Sequence, residues 1–214
     1  MEFPRISILG KDPKHRMHRL NGVSYQEDAL TTFNGWQYAV FYATTTASVE
    51  SQEADAPLHL YLHLARRPLR DPEHAWQTLV FEDYPQTTDD GHNTAQLGIC
   101  HGDGTIHLSY DHHCDMYVGR PPPRVFRFSL LAAWPYAQPD EVYRLRYRHS
   151  LAGLALEPDR YEWSAGRFTG TLDALPGLSS TLKQFHDVSY PRFRSVGDDL
   201  LFTHRLGRYV VRAA

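Results

Sequence analysis

The chain has 214 residues, 22 Lys plus Arg against 25 Asp plus Glu, 42% hydrophobic and 13% aromatic residues. That length holds one good core or two small domains and the composition is not that of a disordered chain. A formal charge of -3 supplies no field for nucleic acid or an anionic membrane surface, and no apolar run approaches the length that spans a bilayer, so neither partner class is expected.

Thirteen His, 13 Tyr, 14 Gly and 14 Pro beside 3 Met, with a mean hydropathy of -0.50, describe many turns joined by aromatic-rich strands. Two cysteines, Cys100 and Cys114, are too few for a disulfide framework. The opening Met1-Glu2-Phe3-Pro4-Arg5 puts an acid and a proline where a secretory signal needs a basic region and an apolar one, so no signal peptide is read there.

Residues 1–30 mix Lys, Arg, His, Gly and Pro without a period and read as an irregular lead-in. Regularity begins at the Asn34-Gly35 turn signal, followed by the strand-like Trp36-Gln37-Tyr38-Ala39-Val40-Phe41-Tyr42. The phrase recurs. Asp103-Gly104 precedes Thr105 to Asp111, and Gly197-Asp198-Asp199 precedes Leu200 to Arg205. A second phrase of strand, Pro-containing loop and Trp is written from Leu60 to Trp76 and again from Leu145 to Trp163.

The turn glycines stand 69 and then 93 residues apart. Residues 117–142, with Pro121-Pro122-Pro123 and no clean period, read as an insertion whose removal brings the second spacing to 67. Repeats of this size, built from short strands without an amphipathic helix, predict an all-β fold, a partial β-propeller. An antiparallel sandwich with coincidental turns is the competing reading. The predicted organisation is a lead-in over 1–30, a partial propeller domain over 31–207 and a divergent tail over 208–214.

The richest polar segment runs from Asp89 to Asp115. In a strand from Thr105 to His113, Ile106, Leu108 and Tyr110 would share the core face, leaving His107, Ser109, Asp111 and His113 on a polar face. His112 would fall on the apolar side as a core histidine. Three readings compete for this cluster: a hydrogen-bonded sheet surface, a metal site drawing on His92, His101, His107, His112, His113, Cys100 and Cys114, or acid/base catalysis. No ligand pair has zinc-ribbon or two-histidine helical spacing, and no cofactor motif occurs.

The segments Gly35 to Tyr42, Asp90-Gly91-His92-Asn93, Ile106 to His113 and Ser189-Tyr190-Pro191-Arg192-Phe193 together resemble the BNR-repeat-containing family that includes the ulvan lyases. Those are seven-bladed propellers that cleave a uronic-acid polysaccharide. The resemblance covers about residues 20–207 outside 117–142. It implies β-elimination with His92, His113 (or His112, its neighbour), Tyr190 and Arg205 as catalytic residues. It also implies Asn93 and His112 in substrate binding, a polysaccharide as partner and secretion as the expected location.

A proton alpha to a carboxylate is weakly acidic. An arginine such as Arg205 would neutralise the carboxylate, while histidine or tyrosine takes one proton and gives another to the departing glycosidic oxygen. The alternative is a non-catalytic glycan-binding or degenerate propeller, and a third reading is a metal-dependent hydrolase. The family is much longer, so about three of seven blades are expected here. The segment 117–142 and the divergent end are expected to be artefacts of a gene model, a retained intron and a premature end.

Overall fold

The computed structural model describes residues 6–10, 18–22, 28–44, 59–71, 75–87, 89–110, 145–172, 188–206 and 210–213. Among them there is no α-helix. Ten strands form three antiparallel sheets, with one 3-10 turn at Ala165–Arg167.

The first sheet is a meander of β1 (Leu30–Phe33), β2 (Trp36–Ala43), β3 (Leu60–Pro68) and β4 (Gln77–Gln86). The second joins β5 (Gln96–Ile99), β6 (Ile106–Tyr110) and β7 (Arg146–His149), extended by bridges from Tyr147 to Leu172 and Ser150 to Phe168. The third joins β8 (Val188–Val196), β9 (Asp199–Leu206) and β10 (Val210–Ala213).

Each sheet opens with a tight turn whose glycine the sequence pattern marks. Gly35, Gly104 and Gly197 have φ of 76°, 68° and 62°, in the left-handed region where a Cβ is disfavoured. The tight turns force each second strand back antiparallel to its first, and the first strands of successive sheets, β1 with β5 and β5 with β8, lie against each other. Meander sheets stacked face to face around adjacent first strands are blades of a propeller, so the fold is an all-β partial propeller.

Strand alternation explains the stacking. Trp36, Tyr38, Val40 and Tyr42 of β2 and Leu60, Leu62 and Leu64 of β3 meet Leu97, Ile99, Ile106, Leu108 and Tyr110 of the second sheet in one core. Each such aliphatic side chain, fully buried, contributes about 1.5–3 kcal/mol. The opposite face of the second sheet is covered as well. There Leu145 and Tyr147 pack on Phe193 and Phe202 of the third sheet.

The expected polar face of β6 is therefore not an open surface. Ser109 is fully buried and His107 half-buried, because that face is the contact between the second and third blades. Gly98, paired with His107 on β5, makes this contact close: a Cβ on it would lie 2.4 Å from Cβ of Phe193.

The lead-in supplies Leu20 to the main core at 2% exposure, and Asn21 bonds both the N–H and the C=O of Tyr42 at 2.8 and 2.7 Å, imitating a strand partner. The tail includes β10, whose backbone pairs with β9 from Val210↔Leu206 to Ala213↔Thr203. The recurring tryptophans do not play one role. Trp76 packs on the far face of the first sheet, whereas Trp163 joins the main core and, with Trp36, brackets the Arg66 guanidinium at 4.4 and 4.7 Å.

Candidate active site

The meander fixes which residues share an end of the blades. β4 runs toward Gln86 and β5 departs from Gln96, so the connecting segment carrying His92 lies at the end opposite the Gly35, Gly104 and Gly197 turns. β6 finishes at Tyr110 on this same end, immediately before the Asp-His-His motif. His112 and His113 themselves lie outside the described residues, as does the segment 117–142. β8 begins there and β9 ends there, with the backbone of Arg205 opposite Ser189.

Two of the sequence-predicted residues meet directly. The rings of His92 and Tyr190 contact edge to face, with centroids 6.2 Å apart at 83°. They are nearly 100 residues apart in sequence and belong to different blades. A bulge in β8 between Ser189 and Arg192 brings them together, and Tyr190 sits in it with φ of 54°. A non-glycine residue in that region costs on the order of 1–2 kcal/mol, and such strain gathers where a side chain must be re-aimed.

His92 is held by its own turn. Oδ1 of Asp90 accepts the backbone N–H of His92 at 2.8 Å and lies 2.7 Å from its Nδ1. The turn is closed by Asn93 N–H donating to Asp90 O at 3.2 Å and Thr94 N–H donating to His92 O at 2.8 Å. The neighbouring carboxylate, Asp89, accepts the His18 N–H at 3.0 Å. Asn93, expected as a substrate contact, is fully buried beneath the turn, so its side chain faces the protein body.

Of the described histidines in the rich segment, His107 and His101 do not join this site. His107 lies between blades, its Nδ1 2.6 Å from the Tyr147 hydroxyl and its ring stacked at 6.2 Å on His149 across the strands. Burial, and then the nearby His149, push its pKa down to about 4 against the pull of Asp103, so it is neutral near pH 7. Burial likewise raises the Tyr147 hydroxyl well above the usual tyrosine range. His101 stacks on Phe33 at the turn end. Cys100 is a free thiol donating to Asp198 O at 3.2 Å, and Cys114 lies outside the described residues. Among the described residues no group of three His, Cys, Asp or Glu side chains could hold a metal ion.

A cavity of about 570 Å³ opens at the turn end, lined by residues including Asn34, Trp36, Arg70, Glu157, Asp159 and Arg160. Its lining contains no histidine, tyrosine or cysteine, and Arg160 is tied to Glu157 at 2.7 Å. The meeting of a histidine with a tyrosine lies instead at the opposite end of the blades, at His92 and Tyr190. Asp90, which no sequence motif had assigned a role, is the partner that sequence reasoning missed; its signal was an Asp two residues before a His in a Gly-containing turn.

Fold and site thus define a partial β-propeller carrying a His-Tyr pair at one end of its blades. A family model of BNR repeat-containing members matches residues 36–121, from β2 past β6. Among eleven solved chains that match is polysaccharide lyase Uly1, at 21% identity and a TM-score of 0.62 over 95% of this chain and 40% of that one. The likeness shows the fold, and the chain spans about two fifths of that lyase's length. No curated protein matches the sequence.

Proposed function

We propose that this chain acts on a uronic-acid-containing, ulvan-like glycan by β-elimination. The observation that carries the reading is the contact of His92 with Tyr190 across two blades, at the end where the backbone of Arg205 also lies. The fold likeness to a polysaccharide lyase supports it.

In the proposed reaction the cation of Arg205 neutralises the uronate carboxylate. The proton alpha to that carboxylate passes to the His-Tyr pair, the electron pair of the C–H bond forms a C=C bond, and the bond to the glycosidic oxygen breaks. The departing oxygen takes a proton from the same pair, leaving an unsaturated uronate and a new hydroxyl end. His113 or His112 would complete the proton-transfer set, with Asn93 acting through the turn that carries His92.

Incubation of the full chain with ulvan and related polyuronides tests this by the ultraviolet absorbance of the unsaturated product. The expected result is a rise that His92→Ala and Tyr190→Phe each lower by about 10²-fold or more. Glycan binding without any absorbance gain from the unaltered chain would refute the lyase reading and assign the site to glycan capture.

A further inference from the structure

We infer that Asp90 is a positioning residue for His92, holding the imidazole as the tautomer with its proton on Nδ1, so that proton exchange with a substrate runs through Nε2. The inference deepens the lyase reading in its kinetic consequence, but the tautomer itself is independent of turnover.

The geometry is local and closed. One oxygen, Oδ1 of Asp90, receives both the backbone N–H of His92 and the ring Nδ1, at 2.8 and 2.7 Å. An ionised carboxylate only accepts hydrogen bonds, so at that distance the ring nitrogen must be the donor. The neutral imidazole then has its lone pair on Nε2, which fixes the nitrogen available to accept a proton.

Accessibility fits the division of labour. The His92 side chain is 37% exposed while the Asp90 side chain is 20% exposed, so the carboxylate is the more buried member of the pair. The two acids of the turn have separate tasks, because Asp89 accepts the His18 N–H and Asp90 serves His92. Tyr190 approaches the ring from another blade, edge to face, so the ring plane is constrained from a second direction. A histidine held only by rotamer preference would divide its time between tautomers and ring flips. Held in this way, it loses that freedom before substrate arrives.

Nitrogen-15 NMR of the full chain, with His92 assigned by comparison with His92→Gln, tests the tautomer above the histidine titration. The expected spectrum shows a protonated-type Nδ1 and an unprotonated-type Nε2, and Asp90→Ala moves both resonances toward an averaged position. A wild-type spectrum with the proton on Nε2, or one that Asp90→Ala leaves unchanged, overturns the inference whether or not the chain cleaves glycan.

In the kinetic arm, Asp90→Ala is expected to lower kcat by about 10²-fold with KM changed less than about threefold. Asp90→Asn, which keeps an acceptor oxygen for the turn and the ring, should retain the tautomer and fall less. A kcat unchanged in Asp90→Ala refutes the positioning role. Should the alanine chain fail to fold, the wild-type spectrum and the asparagine variant still decide. If the wild-type tautomer is as expected but no glycan is cleaved, only the lyase reading fails.

Discussion

Acidification should weaken this fold in part through a buried histidine. His107 lies between the second and third blades, facing Tyr147 and His149 from β7, Phe193 from β8 and, more distantly, Asp103 from the preceding turn. Burial first, and the neighbouring His149 second, depress its pKa from 6.5 to about 4. Between those values the unfolded chain binds a proton that the folded chain refuses. Stability from this group is therefore complete above about pH 6.5 and declines as the pH falls toward 4. The interval corresponds to roughly 3 kcal/mol at about 1.4 kcal/mol per pH unit, a sizeable part of a typical domain's stability.

Urea unfolding followed by tryptophan fluorescence at several pH values from 7.5 to 4.5 measures the slope. His107→Asn keeps a hydrogen-bonding partner for Tyr147 without a group that titrates here, and should flatten the slope by most of that amount while costing little at pH 7.5. The reasoning is refuted if wild type and variant lose equal stability over this interval. It is equally refuted if the variant is the more pH-sensitive.

Other outcomes follow from close contacts. Gly98→Ala would set its Cβ 2.4 Å from Cβ of Phe193, and since both atoms are attached directly to backbone the two first strands must part. A loss of about 1–3 kcal/mol is expected, lowering Tm by about 2–4 °C per kcal/mol, and a melting curve equal to wild type would contradict this packing. Arg148 and Asp83 form an ion pair at 2.6 Å in which the arginine side chain is 3% exposed and the aspartate 44%. Asp83→Ala strands a buried cation and should cost about 3 kcal/mol, whereas Arg148→Met leaves an acid able to reach water and should cost less. The opposite ranking in denaturant midpoints would show that the desolvation argument is misplaced.

Local chemistry explains why so much of the blade pattern was legible in the chain. A tight turn with positive φ needs a glycine wherever it occurs, so Gly35, Gly104 and Gly197 marked the start of each hairpin. The alternation of Ile106, Leu108 and Tyr110 likewise identified a core face, because a strand exposes successive side chains on opposite sides. The residues of the candidate site could be named from their motifs, and Asp90 could be placed beside His92 only once the turn between β4 and β5 was seen.

What the sequence could not carry is the relation between blades. Alternation says that His107 and Ser109 leave the Ile106 face, but not that Phe193 from a segment some 85 residues later covers them. Nor does a Tyr-Pro-Arg-Phe motif disclose the bulge that turns Tyr190 onto His92. Strand periodicity is set by each residue's own backbone and its immediate neighbours. The stacking of sheets, and with it the burial of a polar face and the meeting of a histidine with a tyrosine, is set by long-range packing that only the assembled tertiary structure decides.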